Sequence, residues 1–486
     1  MIEGQQSIFD VLYPKYKITK PIRLIEFFGG YGSQALALKY LGVKFEHWKL
    51  VEWAVKSIQA YKDIHMPNEY CPGGVLDIPK DEIINYLYEV GISSNYNDPM
   101  TLEQIKRLPE ASLYTIYENI YVTNNLVNIQ QVKGKDLEIV DTDKYDYILT
   151  YSFPCQDLSL AGKGKGMSDT STRSGLLWEV ERILSECKEL PQILLMENVP
   201  QVHSEDNLED FNKWKFRLEE MGYKNYFQDL IATDYGIPQT RNRCFMISLL
   251  GDYSYTFPKP IPLKLKLKDM LEDQVDEKYY LSNKQVEQIS HWNSYQNPLD
   301  NVMGKESISP TITTRIAESQ DGGINASMKV YSDNLDKTTN LRIKNANSKG
   351  YLEATDGDGI DISSRMEYHR GTVQKGKSQT LTTSGGNNQG VVVIGNYSPS
   401  NHEASRIIDS EYSAPTIKEN HGTINATQTN DLRIRKLTPK ECFRLMGVKD
   451  EDFEKCAKNQ SDSSLYHLAG DSIVVNVLMA IFKELL

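Results

Sequence analysis

The chain has 486 residues, 40% hydrophobic and 25% charged, with a formal net charge of −12. That length admits two or three domains with a substantial core, and the composition is that of an ordinary globular protein, not a disordered, fibrous or membrane-embedded one. The negative balance argues mildly against a nucleic-acid partner, but binding depends on local patches, and two stretches, Lys163 to Arg173 and Arg433 to Arg444, are basic.

The N-terminus, "MIEGQQSIFDVLYPKYK", lacks the basic-apolar-small pattern of a signal peptide. No apolar run approaching 18 residues is evident, so no membrane span is expected and the cytoplasm is the expected compartment. "IRLIE" (22–26) reads as a buried strand. "FFGGYGSQALALKYLG" then turns on glycines into a helix with Ala and Leu at helical spacing. "HWKLVEWAVKSIQAY" repeats the strand-then-helix pattern. An insertion from about 81 to 143, rich in Tyr, Asn, Leu and Ile, has helical stretches and no assignable chemistry. "DYILTYS", "QILLMENV" and "CFMISLL" are further apolar strands. The alternation predicts an α/β fold: a Rossmann-like, mostly parallel sheet with helices on both faces. Ligands of such sheets sit at the carboxyl ends of the strands, where Gly30, Glu52, Asp77, Cys155 and Glu197 fall.

From about 255 to 430 the chain turns Asn-, Gly-, Ser- and Thr-rich. A phrase recurs there as "SPTITT" (309–314), "SQTLTT" (378–383) and "SAPTIK" (413–418), a weak repeat that suggests β-hairpins presenting loops. Helical texture returns with "LTPKECFRLMG" and "LAGDSIVVNVLMAIFKELL". The six cysteines are scattered without a C-x-x-C pair. Neither a disulfide framework nor a zinc cage is expected, and no metal; a single reactive thiol is.

Taken singly, each motif is weak. "FFGGYG" suits any nucleotide enzyme. A strand-end acid such as Glu52 or Glu197 is ordinarily solvated or salt-bridged, and a strand-end cysteine is ordinarily a small buried hydrophobe. Their order is specific. "FFGGYG", "VEW", "LDIP", "SFPCQ", "MENVP", "YGIPQTRNR", "RKLTPKECFRLMG" and "AGDSIVVNVL" together resemble the DNA cytosine-5 methyltransferases, across roughly 22–80, 143–250 and 433–486. The repeat region resembles the recognition domains of phage-borne members, and the whole is similar to phage or restriction-modification types.

The resemblance implies methyl transfer from S-adenosyl-L-methionine to carbon 5 of cytosine in a specific duplex DNA sequence. It implies base flipping and a covalent cysteine–cytosine intermediate. Cys155 is then the nucleophile, since the thiolate is the reactive form. Glu197 acts on ring nitrogen 3 and the exocyclic amine, and Arg243 on the carbonyl oxygen at carbon 2. Arg241 steadies the loop and a phosphate, Asn198 anchors the Pro-Cys backbone, and Gln239 is architectural. For the cofactor the implied residues are Phe28, Gly30 and Gly32 at the methionine end, Glu52 at the ribose, Trp53, Asp77 and Ile78 at the adenine, and Pro154 at the sulfonium. Asp471 and Ser472 close the pocket. Asp471 stands where the family usually has Asn and lacks its amide donor, so backbone and Ser472 contacts are expected instead. Ser159, Lys163, Lys165 and Arg173 would touch DNA from a glycine-hinged loop that closes behind the flipped base.

The expected organisation is a catalytic domain over 1–254, a smaller β-rich target-recognition domain over 255–432, and a segment over 433–486 that completes the catalytic domain. A monomer is expected, acting on duplex DNA without a membrane and in some settings alongside a cognate restriction endonuclease. Methylation of a tRNA cytosine is the alternative. A catalytically silent DNA-binding protein or a nicotinamide enzyme is disfavoured by the intact Cys155, Glu197 and Arg243.

Overall fold

The computed structural model describes residues 13–154, 174–279 and 438–486, with short strand segments between 341 and 436. These fall into two compact units. One holds the described residues up to Leu265 and from Pro439 onward; the other holds those from Lys266 to Thr438. The sequence-based divisions at 254/255 and 432/433 lie eleven and six residues before these edges.

The first unit is built on one six-stranded sheet. Strands β1 (Ile22–Phe27), β2 (Phe45–Val51), β3 (Asp146–Tyr151) and β4 (Ile193–Asn198) run parallel. Then β6 (Asn242–Leu250) pairs antiparallel with both β4 and β5 (Tyr223–Ile231), giving the order β2-β1-β3-β4-β6-β5. All residues of β1, β3 and β4 are buried. Continuous apolar runs of this kind belong to strands covered on both faces.

On one face Ile25, Phe27, Tyr147, Leu149, Tyr151, Leu194 and Met196 pack against Leu177, Val180 and Ile183 of one helix (Leu177–Glu186) and Phe211, Trp214 and Leu218 of another (Leu208–Glu220). On the other, the buried Glu26 accepts the Ala35 amide of α1 (Ser33–Tyr40) at 3.3 Å and the Tyr61 hydroxyl of α2 (Val55–His65) at 2.5 Å. The insertion folds into helices α3 (Lys80–Val90), α4 (Leu102–Lys106) and α5 (Glu110–Val122). They share an apolar core of Ile83, Leu87, Ile105, Leu113 and Ile116 with Ile58 of α2. In chain order the two helices against the first face are α6 and α7.

The C-terminal segment supplies α8 (Pro439–Leu445), α9 (Asp450–Ala457), α10 (Asp462–Asp471) and α11 (Val475–Leu485). α11 packs along α1, and the Leu485 carbonyl accepts the Ile18 amide at 2.7 Å. Within the 24-residue span Asp462–Leu485 an 18-residue window reaches a mean hydropathy of 1.6, enough by length and composition to cross a membrane. That corrects the sequence reading, which saw no run of this kind. Yet 72% of the apolar window is buried inside the unit, and the chain leaves the helix at Ser472 between α10 and α11. These are properties of core helices.

The described strands of the second unit form sheets of two, three and four strands. Its only helices among the described residues are the 3-10 turns Leu267–Met270 and Glu277–Tyr279. The recurring phrases "SPTITT", "SQTLTT" and "SAPTIK" lie outside the described residues.

Candidate active site

The loop after β1 shapes one wall of a cleft. Phe28, Gly30 and Gly32 take left-handed backbone, at φ of 56°, 55° and 81°. This costs roughly 1–2 kcal/mol in a residue with a side chain; at Phe28 the conformation is held by its amide, which donates a hydrogen bond to the Val51 carbonyl at 2.8 Å. A Cβ on Gly32 would collide with the His65 and Tyr61 rings, whereas one on Gly30 would project into open space. That space is the cleft, about 340 Å³ with its open mouth included, with Phe28, Gly30, Ser57, Ser152, Asp471 and Ser472 on its walls.

Glu52 follows β2. Its carboxylate accepts the amides of Gly30 (3.0 Å) and Ala54 (2.8 Å). Burial raises its pKa to about 7 against these hydrogen bonds, and the Asp471 charge acts in the same direction as burial. The insertion clamps the backbone here. Asn125 accepts the Glu52 amide at 3.1 Å and donates to the Glu52 carbonyl at 2.9 Å, while Ser93 exchanges backbone bonds with Trp53 and Val55 at 2.8 and 2.9 Å.

The opposite wall comes from the C-terminal segment. Arg241 donates to the Ser472 carbonyl at 2.7 Å and is itself buried. Gln239, fully buried, donates to the Leu445 carbonyl at 2.7 Å. The Ile473 amide reaches the Ser33 hydroxyl at 3.4 Å. The "IPQTRNR" stretch is thus bolted to the segment that closes the cleft.

At the end of β4, Glu197 forms an ion pair with Arg243 of β6, Oε1 to Nε 3.2 Å, both largely buried. Burial pushes the Glu197 carboxyl up; Arg243 and Arg241 oppose it and Asp471 reinforces it. Asn198, next in sequence, donates to the Phe153 carbonyl at 2.9 Å. It therefore fixes the backbone that enters Pro154.

Cys155, Ser159, Lys163, Lys165 and Arg173 lie outside the described residues. Pro154 is half-buried. Trp53 and Ile78 both pack on the insertion's apolar core. Asp77 is exposed, and Glu52, Trp53, Asp77, Ile78 and Pro154 are not among the residues lining the cleft. Within the second basic stretch, Lys440 and Arg444 are ion-paired to Glu454 and Asp450 at 2.6 and 2.7 Å, so they add little net charge to the surface. Sequence reasoning missed Asn125, Ser57, Ser152 and His467, whose ring stacks on Tyr96 at 3.7 Å. No local motif marks Asn125, Ser57 or His467; Ser152 opens the phrase "SFPCQ" but carried no assigned role.

The family model described as C-5 cytosine-specific DNA methylase matches residues 109–486. The Type II methyltransferase M2.ScrFI of Lactococcus lactis subsp. cremoris is 30% identical over 467 residues, 96% of this chain and 99% of the relative. The orphan methyltransferase M.SssI of Spiroplasma monobiae is 39% identical over 272 residues, 54% of this chain and 68% of the relative. Among solved structures, S. pombe Dnmt2 methyltransferase aligns with a TM-score of 0.51 at 14% identity, over 95% of this chain and 98% of that one. At that identity the likeness is one of fold.

Proposed function

The chain belongs to the C-5 cytosine-specific DNA methylases, and from that membership we propose how its own residues carry the reaction. It transfers a methyl group to carbon 5 of cytosine in DNA. The donor is S-adenosyl-L-methionine, held in the cleft between Phe28–Gly30 and Asp471–Ser472. The fit rests on two features. The bare wall at Gly30 opens into the cleft, and Glu52 is a buried acceptor suited to ribose hydroxyls. Gly32 shapes the turn, Trp53 and Ile78 flank the adenine, Pro154 abuts the methionine end, and Asp77 is assigned at most a rim contact. Bound there, the donor supplies an electrophilic methyl group on a sulfonium.

The cytosine is flipped out of the duplex, at a cost of a few kcal/mol. Cys155 adds as thiolate to carbon 6, which makes carbon 5 nucleophilic. Glu197, whose carboxyl burial shifts toward its protonated form, donates toward ring nitrogen 3 and accepts from the amine. Arg243 stabilises the negative charge that grows on the carbonyl oxygen at carbon 2. After methyl transfer the carbon 5 proton leaves to a base, the Cys155–carbon 6 bond breaks, and the aromatic ring is restored. Arg241 is a positioning residue, acting through Ser472 and the field at Glu197. Ser159, Lys163, Lys165 and Arg173 contact DNA, and the second unit reads the target sequence. The protein works as a monomer in bacterial or phage-infected cytoplasm, beside a cognate restriction endonuclease where one is present.

The observation that carries this reading is the Glu197–Arg243 pair held beside the Asn198-anchored backbone leading to Cys155. The test is transfer of tritium from methyl-labelled S-adenosylmethionine to duplex DNA, tRNA or neither. Label in DNA alone supports it; label in tRNA alone overturns the substrate.

A further inference from the structure

A second polar cluster lies on the sheet, apart from the groups assigned to methyl transfer. His203 ends the 3-10 turn Pro200–His203 that follows β4. Asp229 of β5 and Cys244 of β6 are direct cross-strand neighbours. The His203 Nε2 and Asp229 Oδ1 atoms are 2.9 Å apart. Imidazole nitrogen, carboxylate oxygen and thiol sulfur all lie within 4.8 Å of one another. The histidine and aspartate are hydrogen-bonded to each other. Cys244 is part of the apolar core, and its thiol also bonds to Asp229 while burial pushes its pKa up, so all three donor groups meet at one point.

We propose that His203, Asp229 and Cys244 bind one divalent cation of the zinc class. Three protein donors with a fourth position open to water is a common zinc arrangement, with metal–ligand bonds of about 2.0–2.3 Å. Donors in such a shell sit about 3.5 Å apart, so side-chain shifts of about 1 Å bring these three into place. Thiolate with imidazole selects zinc over magnesium or calcium, which prefer all-oxygen shells. Access is one-sided. The His203 and Asp229 side chains are 29% and 33% exposed, while Cys244 is wholly buried and forms the floor. The rings of Phe211 and Phe227, centred 6.1 and 5.6 Å from the imidazole, hold its orientation. Binding forms the metal–sulfur bond as the thiol proton leaves to solvent. The absence of a C-x-x-C pair is no obstacle, because the ligands come from a turn and two paired strands.

The bound cation would tie the segment following Glu197 to β6, which carries Arg243, and to its neighbour β5. Its role is to hold both arms of that ion pair, and it takes no part in the chemistry.

The experiment is a Co²⁺ titration of the full-length protein, read by the thiolate-to-cobalt charge-transfer band and the visible bands of a tetrahedral ion. One equivalent is expected to bind. The signal should persist in Cys155→Ser, vanish in Cys244→Ser, and need more than about tenfold more Co²⁺ in His203→Gln. Zn²⁺ should displace the cobalt and raise the Tm. No thiolate band in the wild type, or a band at unchanged affinity in either Cys244→Ser or His203→Gln, overturns the site. Should Cys244→Ser fail to fold, the surface variant His203→Gln decides alone.

Discussion

Glu52 and Glu197 share one influence: Asp471 raises the pKa of both. For Glu197 burial is the largest cause and shifts the carboxyl toward the protonated form, the form that a donor to ring nitrogen 3 takes. Glu197→Gln should lower the single-turnover rate by about 10²–10⁴, the usual worth of positioned acid–base catalysis; an unchanged rate would make the acid structural. For Glu52 the sign runs toward proton release. Its pKa in the free protein is about 7, and ribose hydroxyls donate best to the ionised form. Cofactor binding should therefore lower that pKa, release protons near pH 6, and strengthen as pH rises toward 7. Calorimetric titration in buffers of differing ionisation enthalpy measures this; proton uptake would contradict it, and Glu52→Gln should abolish the release. Asp471→Asn removes a like charge from the cleft and should leave cofactor affinity equal or improved. The motif residues were legible because each sits in a short, ordered phrase. Asn125 was not, since its partner Glu52 is 73 positions away and a lone Asn in an insertion carries no pattern.

Among the elements, what the sequence conceals is mostly at edges. β5 escaped notice because an edge strand with one wet face reads as polar "KNYFQDLI", and its burial pattern is irregular. β6 is a full apolar strand, but nothing in its composition says that it runs against β4. The phrase "LAGDSIVVNVLMAIFKELL" reads as continuous helical texture, yet the helix breaks at Ser472–Val474 and α11 begins at Val475. The insertion was read as helical in part, without chemistry. Its contribution is positional: it holds the Glu52 backbone through Asn125 and Ser93. Asn125→Ala would strand the buried Glu52 and Val127 amides, at about 1–3 kcal/mol per unpaired group. The expected outcome is a cofactor Kd raised by about tenfold with near-native helicity, measured by titration and circular dichroism. An unchanged Kd would show that the clamp is dispensable.

Across the whole molecule, motif order anticipated that "AGDSIVVNV" returns to "IRLIEFFGGYG", and the Ile473–Ser33 and Leu485–Ile18 bonds join those ends. A buried polar contact spanning more than 400 positions is invisible to local periodicity. α11 buries Val475, Val477, Leu478, Ile481, Phe482 and Leu485. At about 1.5–3 kcal/mol per buried apolar side chain, deleting it would remove as much as the 5–15 kcal/mol that holds a typical domain folded. Phe482→Ala is the finer probe and should cost about 3–5 kcal/mol in denaturant unfolding. The division of labour between units is tested by exchanging residues 266–438 for those of another family member, which should transfer target choice and leave cofactor affinity intact.

The central claim is that Cys155 attacks a flipped cytosine within the frame set by Glu197, Asn198 and Arg243. Incubation with S-adenosylmethionine and duplex DNA carrying 5-fluorocytosine at the target tests it directly, because fluorine cannot leave as the carbon 5 proton does. Wild type should form a denaturant-resistant adduct, mapped by mass spectrometry to the peptide holding Cys155, and Cys155→Ser should form none. An equal adduct with Cys155→Ser, or one mapped to another cysteine, would contradict the account.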